Sequence, residues 1–85
     1  MPVRDTSILA YHQILHMSQK HKTVYQTIKN FPDSTDRELA AILGFHDPNK
    51  VRPRRNELAQ FGWIRESGKR ECSISGRLAY TWRVT

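Results

Sequence analysis

The chain has 85 residues, which is enough for one domain with a modest core. Fourteen lysines and arginines face eight acids, so the formal charge is +6 and the pI near 10; such a surface seeks polyanions, nucleic acid first and an anionic membrane second. A single cysteine, Cys72, excludes an intramolecular disulfide framework, and no apolar run approaches the roughly 18 residues of a membrane span.

The opening MPVRDTS lacks the apolar run and small-residue cleavage site of a secretory signal, so a cytoplasmic protein off the membrane is expected. Residues 1–17 form an N-terminal arm or short helix packed on the domain. In the helical reading Thr6 or Ser7 is the cap and Ile8, Tyr11, Ile14 and Leu15 the stripe; in the other the segment runs extended. Residues 18–85 form the domain proper. Its first helix starts near Ser18, buries Val24, Ile28 and Phe31, and stops at Pro32. Thr35-Asp36-Arg37-Glu38 is a capping box, in which the Thr35 hydroxyl accepts from the Glu38 amide and the Glu38 carboxylate reaches back to the Thr35 amide. The helix it opens buries Leu39, Ala40 and Leu43 and ends at Gly44, a residue free to take positive φ.

Phe45–Lys50 reads as a turn, with Asp47 and Pro48 as N-cap and N1. Pro53 in a helix interior would remove a hydrogen bond. The next helix is therefore expected to start near Val51–Arg52, with Pro53 in its first turn, or to follow a loose turn at 48–51. Val51, Leu58 and Phe61 then share a sector of about 80°, while Arg52, Asn56 and Gln60 point away from it. Arg55 falls where an aliphatic is more ordinary. Either its stem covers the core with the head in water, or it pairs with an acid such as Glu38 or Glu57.

Charge is split along the chain. Residues 1–49 carry five cations and five acids; residues 50–85 carry nine cations and three acids, so the whole excess follows the turn. After Gly62, Trp63–Glu66 reads as a strand, Gly68-Lys69-Arg70 as a basic turn or bulge, and Glu71–Ser75 as a weakly alternating strand. Leu78, Tyr80, Trp82 and Val84 alternate with Ala79, Thr81 and Arg83, as a strand whose first set faces the core. The hairpin tip is expected at 68–70 or at 75–77.

A second helix following a short turn places its N-terminal part in the major groove of DNA. Arginine can bridge guanine O6 and N7, and asparagine can pair with adenine. Asn49, Lys50, Arg52, Arg54, Arg55 and Asn56 are therefore the candidate contacts on the helix. Lys69, Arg70 and Arg77 are candidates on the hairpin for backbone or minor groove. The bland alternative is a solvated or salt-bridged face. His12 and His16 stand four apart, but Gln13 occupies the place where an HExxH motif needs a carboxylate, so no metal site is expected. Cys72 has no evident His or Asn partner, and there is no Gly-rich phosphate cradle. No catalytic residue, cofactor or small-molecule substrate is expected.

The order Val51, Leu58, Gly62, Ile64 (V-x6-L-x3-G-x-I) resembles the helix-to-wing junction of winged-helix DNA-binding domains of the MarR/ArsR sort. More specifically, the chain is similar to small winged-helix proteins of bacteriophages and prophages. The matching stretches are Ala10-Tyr11…Ile14, Val24-Tyr25…Ile28, Thr35…Glu38-Leu39-Ala40, Val51…Pro53-Arg54…Glu57-Leu58 and Gly68-Lys69-Arg70…Cys72…Ile74-Ser75-Gly76-Arg77…Ala79…Trp82, spanning about residues 10–84. Arg55 departs from the pattern, since such domains usually place an aliphatic there. The resemblance implies an α+β winged helix-turn-helix, with three core helices, a C-terminal β-hairpin wing and an optional N-terminal helix. It also implies binding of double-stranded DNA but no settled physiological role; a phage-type regulator or accessory factor is the expectation. The alternative is a winged-helix module that docks an acidic protein. A homodimer through Ile8, Leu9 and Tyr11 is one expectation for the N-terminal segment, and packing on its own domain the other.

Overall fold

The structure is a computed structural model that describes residues 18–85. The expected cap at Thr6 or Ser7, the stripe through Leu15, the His12/His16 pair and the dimer surface at Ile8, Leu9 and Tyr11 lie outside the described residues. In chain order the elements are α1 (Gln19–Asn30), α2 (Asp36–Ile42), a 3-10 turn (Pro48–Lys50), α3 (Arg52–Gln60), β1 (Ile64–Glu71) and β2 (Leu78–Val84). Over the described residues the fold is α+β: three helices, then a two-stranded antiparallel hairpin. None of the described helices is long and apolar enough to cross a membrane.

Each helix begins and ends for a local reason. The Ser18 hydroxyl caps α1 by accepting from the His21 amide at 3.2 Å. Val24, Thr27 and Ile28 are the buried residues of α1, whereas Phe31 is half exposed. The expected burial of Phe31 is therefore corrected: it is the C-cap residue, where the backbone has left helical geometry (φ −130°, ψ 71°) and the i+3 spacing from Ile28 no longer holds its direction. The capping box of α2 is complete, with both reciprocal hydrogen bonds formed. Helix α2 closes in a Schellman motif: Phe45 N donates to Ala40 O and Gly44 N to Ala41 O, with Gly44 at φ 86°.

Asp47 Oδ1 caps the 3-10 turn by accepting from Asn49 N at 2.9 Å. Helix α3 then starts at Arg52 with Pro53 in its first turn, where the missing amide has no intrahelical duty. The loose turn and the late start, expected as alternatives, both occur. A second Schellman closure follows, with Trp63 N donating to Leu58 O and Gly62 at φ 83°.

The core is Val24, Ile28, Leu39, Ala40, Val51, Leu58 and Ile64, flanked by Tyr25, Leu43, Ala59, Trp63, Trp82 and Val84. Burying each large aliphatic contributes about 1.5–3 kcal/mol. Tyr25 meets Trp63 edge to face at 5.7 Å between centroids.

The hairpin differs most from expectation. Strand β1 runs unbroken to Glu71, so Gly68-Lys69-Arg70 lies within it and is not a tip. A register shift between Glu66 and Gly68 marks a bulge at Ser67, beside the expected one. Cys72–Arg77 forms the tip, so the strand expected over Glu71–Ser75 ends at its first residue. The tip is closed by Cys72 N donating to Arg77 O and Gly76 N to Cys72 O, each 2.8 Å. Leu78 and Tyr80, expected to face the core, are exposed. Of the alternating set only Trp82 and Val84 reach the core, while Tyr80 lines an open cleft against the helices. A bridge between Ser34 and Trp82 lays the α1–α2 loop along the outer edge of β2. That loop turns at Asp33, which holds φ 64°.

Candidate nucleic-acid interface

Two carboxylates at the start of α2 organise the basic half of the chain. Asp36 takes Arg55. The Arg55 Nε and Nη2 donate to the two Asp36 oxygens at 2.7 Å each, and the guanidinium lies 4.1 Å from the Trp82 ring centroid. Arg55 is 9% exposed, so the expected pairing with an acid is correct in kind, but the acid is Asp36, not Glu38 or Glu57. This clamp fixes α3 to α2 and to β2 together. Arg55 also donates to Asn56 Oδ1.

Glu38 takes Arg70. The Arg70 Nη2 and Nη1 donate to Glu38 Oε1 and Oε2 at 2.6 and 2.9 Å. Ser73 adds its amide and hydroxyl to Oε2, both at 2.8 Å, and Thr35 N donates to Oε1 at 3.1 Å. Five hydrogen bonds thus converge on one nearly buried carboxylate. Foremost the Arg70 guanidinium, and then the Ser73 and Thr35 amides against the opposing effect of burial, hold its carboxyl down to about 2. Arg70, paired across the strands with Ala79, also donates to Asp33 O. Beside this node the Cys72 thiol is buried, with Sγ 3.2 Å from Thr35 Oγ1.

The expected contact residues fall into three groups. Arg55 and Arg70 are engaged in these two nodes, Arg55 buried and Arg70 still exposed. Arg54 forms an ion pair with Glu57 at 2.8 Å, on the side of α3 that faces α1, where Lys50 also lies. His21 Nε2 approaches the same Glu57 at 2.7 Å. Arg52, Asn49, Asn56, Lys69 and Arg77 are exposed. Arg52 leans on Asn49 Oδ1 at 3.0 Å and more weakly on Asp36 at 3.3 Å. Lys69 sits 5.0 Å from the Tyr80 ring centroid. Arg77 makes no ion pair among the described residues.

Between these groups lies an open cleft of about 320 Å³, walled by Arg37, Arg52 and Arg55 on the helices and by Tyr80 and Trp82 on β2. Asp36 lies in it as well, paired with Arg52 and Arg55, and its hairpin wall is aromatic. Among the described residues no cluster of three or more His, Cys, Asp or Glu is placed to hold a metal. The sequence reading missed Asp36 and Glu38 as organisers. The available signal for Asp36 was an arginine at an aliphatic position, which requires an acid nearby. For Glu38 there was none, because its capping role already accounts for the residue. No family model, curated protein or solved structure matches the chain.

Proposed function

We propose that the chain is a winged helix-turn-helix protein that binds duplex DNA, with α3 as the recognition helix and the hairpin as its wing. The observation that carries this reading is the polar face of α3. Arg52 and Asn56 of α3 are exposed, with Asn49 and Lys50 exposed on the capped turn before it, beside a hairpin that carries Lys69 and Arg77. The helix order, the two Schellman closures and the Ser34–Trp82 bridge agree with a winged-helix layout. The charge supports it as well, since the surplus of +6 resides in residues 50–85.

In this reading Arg52 and Asn56 read base edges, while Lys50, Lys69 and Arg77 hold phosphates. Arg55 and Arg70 act from behind, setting α3 and the wing at a fixed separation. The role is that of a binding protein without catalysis, as a regulator or accessory factor of the phage type that the sequence resembles. A second reading rests on a different surface. Phe45 and Ile42 are exposed beside an apolar groove rimmed by Lys20, Lys50 and Arg54, a shape suited to an acidic amphipathic helix.

A gel-shift titration over salt separates the two. Lys50, Lys69 and Arg77 on phosphate would give a log–log slope of about −3. A duplex affinity that is absent even at low salt removes the DNA reading.

A further inference from the structure

Ile74 and Leu78 are 53% and 68% exposed, the highest values among the large apolar side chains described. Both belong to the end of the hairpin farthest from the core, and neither packs on it. The tip that carries them is firmly held. Ser73, next to Ile74, is bound through amide and hydroxyl to Glu38, Cys72 is buried against Thr35, and the Cys72–Arg77 pairing closes the loop. Two aliphatic side chains are thus presented to solvent from a fixed support. Arg77 stands between them in sequence, exposed and without an acid among the described residues. A purely phosphate-binding tip would have no use for the aliphatics. Proteins that enter the minor groove combine the two chemistries, with an apolar wedge between base steps and cations at the groove walls.

We propose that the hairpin tip is a minor-groove wedge: Ile74 and Leu78 unstack a base step of duplex DNA while Arg77 holds the flanking phosphate. The step favoured is a pyrimidine–purine one, TA or CA/TG, because these are the easiest to unstack. The exposed Glu71 stands opposite Leu78 and opposes phosphate at that corner. The wedge therefore enters with the Arg77 side toward the backbone. This inference rests on duplex binding, and its test keeps the two apart.

The probe is a short duplex with 2-aminopurine placed at a TA step and a donor–acceptor pair at its ends. Wild-type protein should raise the 2-aminopurine fluorescence and shorten the end-to-end distance. The Ile74→Ser/Leu78→Ser double variant should bind less than about tenfold more weakly, since phosphate contacts carry most of the affinity, yet lose both signals. Leu78→Ser alone, at the more exposed position, should reduce both signals with its far-UV circular dichroism unchanged. Wild-type binding with neither signal overturns the wedge and leaves the DNA reading standing, whereas no binding at all removes both. A double variant that keeps both signals also overturns the wedge. So does one that turns a dimer into a monomer in sedimentation, since the aliphatics would then join two copies.

Discussion

Replacing Glu38 by glutamine should loosen the hairpin from the helices. The carboxyl is held at about 2 against an ordinary 4.5. That lowering corresponds to at most about 3 kcal/mol of folding stability at neutral pH. The carboxylate's main partner, Arg70, is 45% exposed, so solvent screening brings the contribution below that figure. The sign follows from the lowered folded-state value. The contribution is complete above about 4.5 and is lost as pH falls toward about 2. Glutamine has the same shape, but its NH2 must face either Arg70 and the Thr35 amide or Arg70 and the Ser73 amide, all donors, with only the Ser73 hydroxyl able to turn and accept. Urea unfolding followed by tryptophan fluorescence should show Glu38→Gln less stable by about 2–4 kcal/mol at pH 7, with a melting temperature lower by about 10–20 °C. The gap should narrow steadily below about pH 4. A loss under about 1 kcal/mol, or one that stays constant from pH 7 to about pH 3, would refute the role given to this carboxylate.

Arg55→Lys removes the fork that grips both Asp36 oxygens and the flat cation over Trp82, and should destabilise the fold by about 1–3 kcal/mol in the same urea assay; an unchanged midpoint would mean the clamp contributes nothing. Arg52→Ala should leave stability within about 1 kcal/mol, because its contact with Asp36 is exposed and long. It should weaken a selected DNA site by about 1–3 kcal/mol relative to unrelated duplex if Arg52 reads a base; an equal loss on all sequences would make it a phosphate contact. Cys72 is 2% exposed, so a thiol reagent should label it only through opening of the hairpin tip, and faster in Glu38→Gln; prompt labelling of the native wild type would contradict the buried placement.

Local signals carried much of the architecture. Thr35 and Glu38 announced the start of α2, Gly44 and Gly62 its end and that of α3, and Pro53 set the start of α3, because each of these features is decided within one turn of backbone. The hairpin was less legible. Its alternation of Leu78, Tyr80, Trp82 and Val84 gave the strand, but period two does not tell how far the helices extend beneath it. Gly68-Lys69-Arg70 has turn composition, yet it lies in β1, because the bulge at Ser67 absorbs the irregularity. The site was the least legible part. Asp36 meets Arg55 across 19 positions and Glu38 meets Arg70 across 32. Such pairs have no local pattern, so two of the expected DNA contacts are tied to acids, Arg55 in a buried pair and Arg70 in an exposed one.

The most direct test of the central claim is amide chemical-shift mapping of the protein titrated with duplex DNA at low salt. Binding through α3 and the hairpin predicts salt-sensitive shifts concentrated in residues 49–56 and 69–78, with the α1 face at Lys20, Thr23 and Phe45 unmoved. Shifts confined to that α1 face, or none in either stretch, would contradict it.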